Sequence, residues 1–170
     1  MLDYSLIEMI DANLEDLPRI VEIYNSTIPG RMVTADTESV SVKSKEKWFF
    51  EHSKSSRPLW IVKYAGEICG WLSFQSFYGR PAYKATIEVS IYIDIKFINN
   101  GLGRFLLQKA LEKGADLGIK TILGFIFGHN VPSLNLFYSL GFNNWGSLPG
   151  IAELDGIERD LIIVGKRINR

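Results

Sequence analysis

The stretch Thr86–Leu107, TIEVSIYIDIKFINNGLGRFLL, decides the fold because it joins a strand pattern to a glycine turn and then to a helix pattern. In residues 87–93 every second side chain is apolar and those between carry polar groups, as in a strand with one core face. Apolar residues then recur at helical spacing over residues 101–117. The apolar run Thr121–Phe127 predicts a strand buried on both faces. The sequence therefore predicts a strand–helix–strand unit.

Two glycines, Gly101 and Gly103, stand between the strand and the helix of this unit. They permit a tight turn and leave backbone N–H groups exposed at a helix start, where anions bind. A plain turn with a helix cap is the alternative, and Gly-x-Gly alone does not separate the two. The loop lacks the third glycine of a dinucleotide fingerprint and the Gly-Lys-Ser/Thr end of a P-loop. It therefore favours a phosphate ligand of another kind.

The rest of the chain supplies the elements that surround this unit. Ahead of it lie a strand pattern at residues 4–10, a helix pattern from Asn13 to Tyr24, an aperiodic loop at 26–39, a second helix pattern at 42–53 and two strand patterns joined at Ala65-Gly66. After it come a short helix opened by Pro132-Ser133 and a C-terminal strand pattern at 159–168. We find no repeat or linker, and we predict one domain over residues 1–170.

Composition narrows the class of function. The chain has 19 Lys and Arg against 19 Asp and Glu, so no excess of positive charge is available to bind a nucleic acid or an anionic membrane surface. The N-terminal residues lack a basic and apolar targeting pattern, and no apolar run approaches the length of a membrane span, so we expect a cytoplasmic protein. The single cysteine, Cys69, lies in an apolar run and is predicted to be a small buried hydrophobe.

The order of these elements resembles the GNAT acetyltransferases, most specifically over Thr86–Phe142. Within that superfamily the chain looks closest to the phosphinothricin and methionine sulfoximine acetyltransferase branch. The residues that carry this narrower resemblance are Ile23–Asn25, Glu88–Ile93, Gly101–Gly103, Asn130 and Pro132-Ser133. The resemblance implies a single α/β GNAT-like domain with a mixed, mostly antiparallel central sheet of about six or seven strands flanked by helices.

The resemblance also implies acetyl-CoA as cosubstrate, with no metal. Backbone groups of Ile91 and Ile93, with Tyr92 between them, would hold the pantetheine arm, and Asn130 would touch the same arm. The pyrophosphate would be bound by the loop residues Asn99, Asn100, Gly101, Leu102, Gly103 and Arg104. The family usually carries Arg or Gln three residues before the first glycine, whereas this chain has Ile98, so the backbone amides and Arg104 must carry more of the binding.

Acetyl transfer to an amine needs a base that removes a proton from the ammonium group. Glu88 is the candidate: it lies on the polar face of the strand and matches the acidic residue that serves as base in the resembling branch. A solvent-facing carboxylate is the alternative. The tyrosine that commonly protonates the thiolate in GNAT enzymes is replaced by Phe137. Tyr138 should point about 100° away on a helix, and His129 is more typical of a structural residue.

For the acceptor we predict a small amino acid-like amine of the phosphinothricin or methionine sulfoximine type, bound through Arg80 with Tyr78 and Tyr83 lining a pocket. A solvated turn arginine is the alternative for Arg80. Two rival functions stay open: a GNAT enzyme acting on a protein N-terminus or lysine, and a catalytically idle acetyl-CoA-binding module. A homodimer is the predicted protein partner.

Overall fold

The computed structural model describes residues 1–169; Arg170, the last residue of the predicted domain, lies outside the described residues. The strands are β1 (Ile7–Asp11), β2 (Leu59–Tyr64), β3 (Glu67–Ser76), β4 (Thr86–Ile93), β5 (Thr121–Phe127), β6 (Asn143–Leu154) and β7 (Ile157–Arg167). The α-helices are α1 (Leu17–Thr27), α2 (Val42–Phe50), α3 (Leu102–Asp116) and α4 (Val131–Ser139). Within these residues no helix is long and apolar enough to cross a membrane.

The seven strands form one sheet in the order β1-β2-β3-β4-β5-β7-β6. Every neighbouring pair is antiparallel except β4 with β5, which are parallel and joined through α3. A parallel pair needs such a crossover, and the apolar character of β5 fits a strand covered on both faces. The predicted α/β class and the mostly antiparallel sheet are confirmed.

Helices cover both faces of the sheet and divide the core into two clusters. On one face α3 and α4 pack over Leu72, Phe74 and Ile87. On the other face α1 and α2 pack over Ile61 and Trp71. Cys69 is fully buried in the first cluster and its Sγ lies 3.4 Å from the Val62 carbonyl oxygen, as predicted for a small hydrophobe. Trp48 packs against the second cluster from α2.

Two elements differ from the sequence prediction, the first strand and β6. Residues Tyr4–Leu6 form a 3₁₀ turn, and the first strand begins only at Ile7. The side chain of Asp3 explains this difference, because it accepts hydrogen bonds from both the backbone N–H and the hydroxyl of Ser5 and so caps a turn. Strand β6 has no clear period in the sequence, since Gly and Pro interrupt it and both faces are largely exposed.

The parallel pairing of β4 with β5 is short, and this positions the functional site. Residues Thr86–Glu88 pair with Thr121–Leu123, and the pairing stops there. Both strands continue beyond that point, β4 to Ile93 and β5 to Phe127. The two strands therefore separate and leave a wedge-shaped opening in the middle of the sheet, with Glu88 at its apex.

Candidate active site

A cleft of about 560 Å³ fills the opening between β4 and β5. Its walls are residues 88–93 of β4 and 124–127 of β5. Residues 32–35, from the long loop between α1 and α2, cover it, and α4 contributes Ser133, Leu136 and Phe137. In the sequence, only its length and its lack of a periodic pattern distinguish this loop.

The backbone of β4 presents hydrogen-bonding groups to the cleft at alternate residues. Asp94 donates its N–H to the Cys69 carbonyl oxygen (2.8 Å), and the register of β3 with β4 runs without a bulge. Because N–H and C=O groups alternate sides along an antiparallel strand, those of Ile91 and Ile93 point away from β3 and towards the cleft. The structure thus brings the predicted pantetheine-binding groups to an unpaired strand edge. The side chain of Tyr92 instead lies on the sheet face that α1 and α2 cover. There it stacks on Trp71, with ring centroids 4.5 Å apart.

A second cavity, of about 510 Å³, continues from the cleft to the start of α3. Asn99 and Gly101 adopt left-handed backbone angles, with φ of 60° and 81°, and turn the chain into the helix. The first N–H groups of an α-helix have no acceptor within the helix and lie at its positive end. Asn99, Gly101, Leu102 and Gly103 line the cavity. These are the residues predicted to hold a pyrophosphate.

The two remaining loop residues, Asn100 and Arg104, are engaged beside this cavity rather than lining it. The carbonyl oxygen of Asn100 accepts a hydrogen bond from the Tyr4 hydroxyl (3.1 Å). The Arg104 guanidinium donates to the Ser139 hydroxyl on α4 (2.7 Å). Ile98 is exposed at the edge of the cavity. Because its apolar side chain cannot donate a hydrogen bond, a ligand in the cavity would find its nearest donors in the backbone amides.

The two glycines of the loop differ in whether the fold can accommodate a side chain at their position. Gly101 has a positive φ, and a Cβ atom there would overlap the Tyr4 hydroxyl, so the fold itself requires glycine. At Gly103 the backbone is ordinary helix, and a Cβ atom would meet the end of the Leu136 side chain at 3.3 Å. A substitution at Gly101 would therefore disturb the fold itself, whereas one at Gly103 can be used to test the predicted approach of a ligand.

Asn130 lines both cavities, and its side-chain amide is bonded within the protein. Its Nδ2 donates to the carbonyl oxygen of Met32 (3.0 Å), and its Oδ1 accepts from the Ser133 N–H (3.3 Å) as the cap of α4. His129 Nε2 lies 2.7 Å from the Arg31 carbonyl oxygen, which can only accept a hydrogen bond from it. These two residues tie the covering loop to the end of β5.

Arg31 holds the same loop to the tip of the β6–β7 hairpin. Its guanidinium binds both carboxylate oxygens of Asp155, at 2.9 and 3.1 Å, and also donates to the Thr37 carbonyl oxygen. On the inner side of the loop, the Tyr24 hydroxyl bonds to Thr34 and Asp36. The loop is therefore fixed from three directions over the cleft.

Glu88 occupies the apex of the cleft as the last residue of β4 that pairs with β5. Its side chain is on the α1 and α2 face, and it lines both the cleft and a neighbouring cavity. Burial raises its pKa above the usual range of a glutamate. A carboxylate with a raised pKa at a junction of cavities is suited to accept a proton from a bound ammonium group.

The neighbouring cavity, here called the side pocket, has a volume of about 220 Å³. It lies between the two N-terminal helices, α1 and α2, and the faces of β3 and β4. Its polar and aromatic lining includes Tyr24, Lys45, Trp48, Ser73, Gln75 and Glu88. Sequence reasoning did not single out Lys45, Ser73 or Gln75, because each lies in a segment whose pattern predicts only a helix or a strand.

The side of the cleft where a thiolate would leave has no tyrosine at the expected place. Phe137 is 7% exposed and packs against Phe142, with ring centroids 4.9 Å apart, so it belongs to the wall. Tyr138 is exposed and does not line the cleft, as predicted from the helix geometry. His129 is the structural residue that the sequence favoured, because it bonds the covering loop.

The predicted acceptor residues all lie on the loop between β3 and β4. Tyr78 and Tyr83 form an aromatic cluster with Phe77 on the loop between β3 and β4, and Tyr78 is 80% exposed. Arg80 is exposed on the same loop. Within residues 1–169, none of Tyr78, Arg80 and Tyr83 lines a cavity with Glu88.

The comparison with protein families decides the class of the site. The model of the acetyltransferase (GNAT) family matches residues 17–142, which include α1, the splayed strands and the glycine loop. The chain belongs to the GNAT family. Its site is accordingly that of an N-acetyltransferase which uses acetyl-CoA. The family resemblance predicted from Thr86–Phe142 is confirmed.

Individual relatives agree with the predicted branch. A Bacillus subtilis (strain 168) protein named "Putative phosphinothricin acetyltransferase YwnH" is 51% identical over 159 residues, covering 93% of this GNAT chain and 97% of the relative. An L-methionine sulfoximine/L-methionine sulfone acetyltransferase of Pseudomonas aeruginosa is 28% identical over 152 residues, covering 89% and 88%. Both names belong to the phosphinothricin and methionine sulfoximine branch.

Solved structures agree on the fold. A crystal structure described as that of a "putative phosphinothricin N-acetyltransferase" superposes with a TM-score of 0.93 at 49% identity, covering 96% of this chain and 99% of that one. A GNAT superfamily phosphinothricin acetyltransferase from Sinorhizobium meliloti in complex with acetyl-CoA has a TM-score of 0.88 at 23% identity, covering 95% and 88%. The likeness to the second structure concerns the fold.

We predict that Gly103→Ala weakens acetyl-CoA binding without weakening the fold. Alanine favours a helix over glycine, and the Leu136 side chain can shift, so we expect an unchanged or higher Tm. The Kd for acetyl-CoA, measured by calorimetry, should rise about tenfold or more, the equivalent of about 1.4 kcal/mol. Gly101→Ala is the comparison, and it should lower the Tm because of its positive φ. An unchanged Kd for Gly103→Ala would favour the plain-turn interpretation.

We predict that Cys69→Ala retains activity. Cys69 is fully buried, and burial raises the pKa of its thiol to about 11, so the thiolate that an acyl-enzyme would need is scarce at neutral pH. Steady-state turnover should stay within about twofold of the parent enzyme, since direct transfer needs no protein nucleophile. Lost turnover in a variant with an intact thermal transition would instead indicate an acyl-enzyme.

Proposed function

We propose that this GNAT enzyme acetylates the amino group of a small amino acid-like substrate of the phosphinothricin or methionine sulfoximine type by direct transfer, with Glu88 as the base. One observation carries the proposal: the cleft and the side pocket share Glu88, Ser90 and Tyr92 as lining residues, and Glu88 is the carboxylate among them. A donor in the cleft and an amine in the side pocket would therefore approach each other at a buried carboxylate. The names of the relatives support the same acceptor class.

The cleft fits the extended arm and the pyrophosphate of acetyl-CoA. The unpaired edge at Ile91 and Ile93 can hydrogen-bond an amide-bearing arm as a further strand would. The start of α3 offers N–H groups, and Gly103 lines the cavity there without a side chain. When bound, acetyl-CoA supplies the activated acetyl group. Asn130 would contribute by fixing Met32 over the arm.

The size of the side pocket favours a small acceptor over a peptide. Its volume of about 220 Å³ lies below the roughly 300–1,000 Å³ of pockets that hold drug-sized molecules. A protein N-terminus or lysine acceptor would need a groove for the residues next to the reacting amine.

Proton transfer follows from the position of Glu88. An amine attacks a thioester only when its nitrogen is neutral, so the carboxylate must first take up a proton, directly or through water. Burial raises the pKa of Glu88 and makes the carboxylate a stronger base than an exposed glutamate. A coenzyme A thiol is acidic enough to leave without a dedicated acid, which agrees with phenylalanine at position 137.

We predict that Glu88→Gln lowers kcat by about 10² or more, because the proton acceptor is removed. The Kd for acetyl-CoA should stay within about twofold, since the amide keeps the shape of the side chain. The parent enzyme should lose kcat/KM as the pH falls through the raised pKa of Glu88. The residual activity of the variant should lack this limb.

Stability provides the control for this variant. Because burial raises the pKa of Glu88, the fold is favoured by the protonated side chain and loses that contribution as the pH rises. Glu88→Gln should therefore be at least as stable as the parent protein above that pKa, and the two should converge in acid. An unaffected kcat would assign the base to another residue.

The acceptor class is tested with a panel of methionine sulfone, methionine sulfoximine, phosphinothricin, ordinary amino acids and short peptides, by following thiol release. We expect turnover with the amino acid analogues. If the enzyme acetylates peptides readily but acetylates none of the three analogues at millimolar concentration, the protein-directed function is assigned instead.

Arg80 is tested in the same assay. Its role in holding the anionic end of the acceptor stays a prediction from the sequence. If Arg80 holds that end, Arg80→Ala should raise the acceptor KM by about 10-fold to 100-fold, the worth of a charge-assisted contact of about 1.5–3 kcal/mol. The KM for acetyl-CoA should not change. An unchanged acceptor KM would place the anionic end elsewhere.

A homodimer and a cytoplasmic location also stay predictions. The β6–β7 hairpin supports the first of them, because it exposes Trp145, Ile151 and Ile157, which are large apolar side chains of the kind found at interfaces. Sedimentation of the purified protein would test it.

A further inference from the structure

Ser73 and Lys45 are among the polar residues of the side pocket that the reaction at Glu88 does not explain. Its lining combines polar side chains with aromatic and aliphatic ones, and Trp48 and Trp71 are in edge-to-face contact at 5.4 Å between ring centroids. Ser73 and Lys45 belong to this lining. An apolar pocket with a few placed polar groups is the usual form of a small-molecule site.

Ser73 is the deeper of the two groups. Its residue is 0% exposed, and its Oγ has no hydrogen-bond partner among the described residues 1–169. A buried hydroxyl without a partner is costly, and the rest of the fold gives no reason to keep it, because alanine would fit the strand. The hydroxyl is available to a ligand that brings its own acceptor or donor.

Lys45 is half-buried where α2 borders the pocket, with its Nζ 5.1 Å from the centre of the Tyr24 ring. It takes part in none of the ion pairs formed within residues 1–169. Lys45 does not offset the raised pKa of Glu88 either, because burial is the cause of that shift. Lys45 is thus a cation that faces the pocket and lacks an anion.

The register of the sheet sets the spacing of these groups. Ser73 pairs with Ser90, and Gln75 pairs with Glu88. Ser73 and Glu88 are therefore diagonal neighbours on one face, about 7 Å apart between their β-carbons. A small amino acid can span that separation, with its amine at Glu88 and the end of its side chain at Ser73.

We propose that Lys45 binds the α-carboxylate of the acceptor and that Ser73 hydrogen-bonds the polar end of its side chain. The proposal rests on the proposed function and names the residues that select the substrate. Phosphinothricin carries an anionic tail and methionine sulfoximine a neutral one, so the anion that all acceptors of this class share is the α-carboxylate. The aromatic walls would pack on the methylene groups between the two ends.

The first test compares Lys45→Met with Lys43→Met. Lys43 is exposed two residues earlier on α2, about 200° around the helix, so its variant loses the same charge outside the pocket. Lys45→Met should raise the KM for methionine sulfone by about tenfold, leaving kcat and the KM for acetyl-CoA unchanged. Lys43→Met should change none of these values.

The acceptor itself provides a second comparison. The α-carboxamide of methionine sulfone keeps the amine and the tail but has no anion for Lys45. The parent enzyme should prefer the acid, and Lys45→Met should reduce that preference about tenfold. A role of Lys45 in folding alone would affect both acceptors equally.

Ser73→Ala separates binding from stability. Because no protein partner is lost, the Tm should stay unchanged or rise by about 2–4 °C. The KM for methionine sulfone should nevertheless rise about threefold to tenfold, the worth of one hydrogen bond. A fall in Tm with an unchanged KM would show a structural hydroxyl and overturn this part of the proposal.

The outcomes distinguish the pocket from the function. Turnover of the amino acid analogues that is insensitive to both Lys45→Met and Ser73→Ala would overturn the pocket assignment and leave the proposed function in place. Absence of turnover with every analogue would overturn both. A raised acceptor KM in each variant, with the acid preference lost only in Lys45→Met, is the result we expect.

Discussion

The short parallel pairing between β4 and β5 is the constraint on which the site depends. Only Thr86–Glu88 of β4 pair with β5, and beyond them the strands separate. Unpaired backbone N–H and C=O groups inside a fold are unfavourable unless another partner satisfies them. The cleft therefore presents the edge of a sheet that an extended ligand arm can complete. Glu88 lines the cleft because it is where the pairing ends.

Side chains alternate between the two faces of β4, so its core residues, its polar side chains and its backbone edge point in three different directions. The side chains of Ile87 and Val89 enter the core under α3, while Glu88 and Ser90 face α1 and α2. The backbone groups at Ile91 lie at right angles to both sets and face the cleft. A slip of one residue in this register would exchange Glu88, the proposed base, with a core side chain. The antiparallel pairing with β3, which is continuous, fixes the register.

The parts of the chain that cover the cleft are far apart in sequence. The loop after α1 is held by Asn130 at the start of α4 and by Asp155 at the hairpin tip. Neither contact involves a group that touches reacting atoms. Their common effect is to hold Met32 over the cleft, so that the arm of the donor would be enclosed.

The sequence by itself determined the class of fold, through period 2 in β4 and a glycine turn that leads into a helix. It also predicted Glu88 as the base, from a carboxylate on the polar face together with the family resemblance. It did not indicate β6, whose exposed faces leave no period to detect. Tertiary structure alone decided which polar groups share a pocket with Glu88. It brought in Lys45 and Ser73 and left Arg80 on an outer loop, because side chains from separate elements meet through strand register and helix packing, which no local pattern encodes.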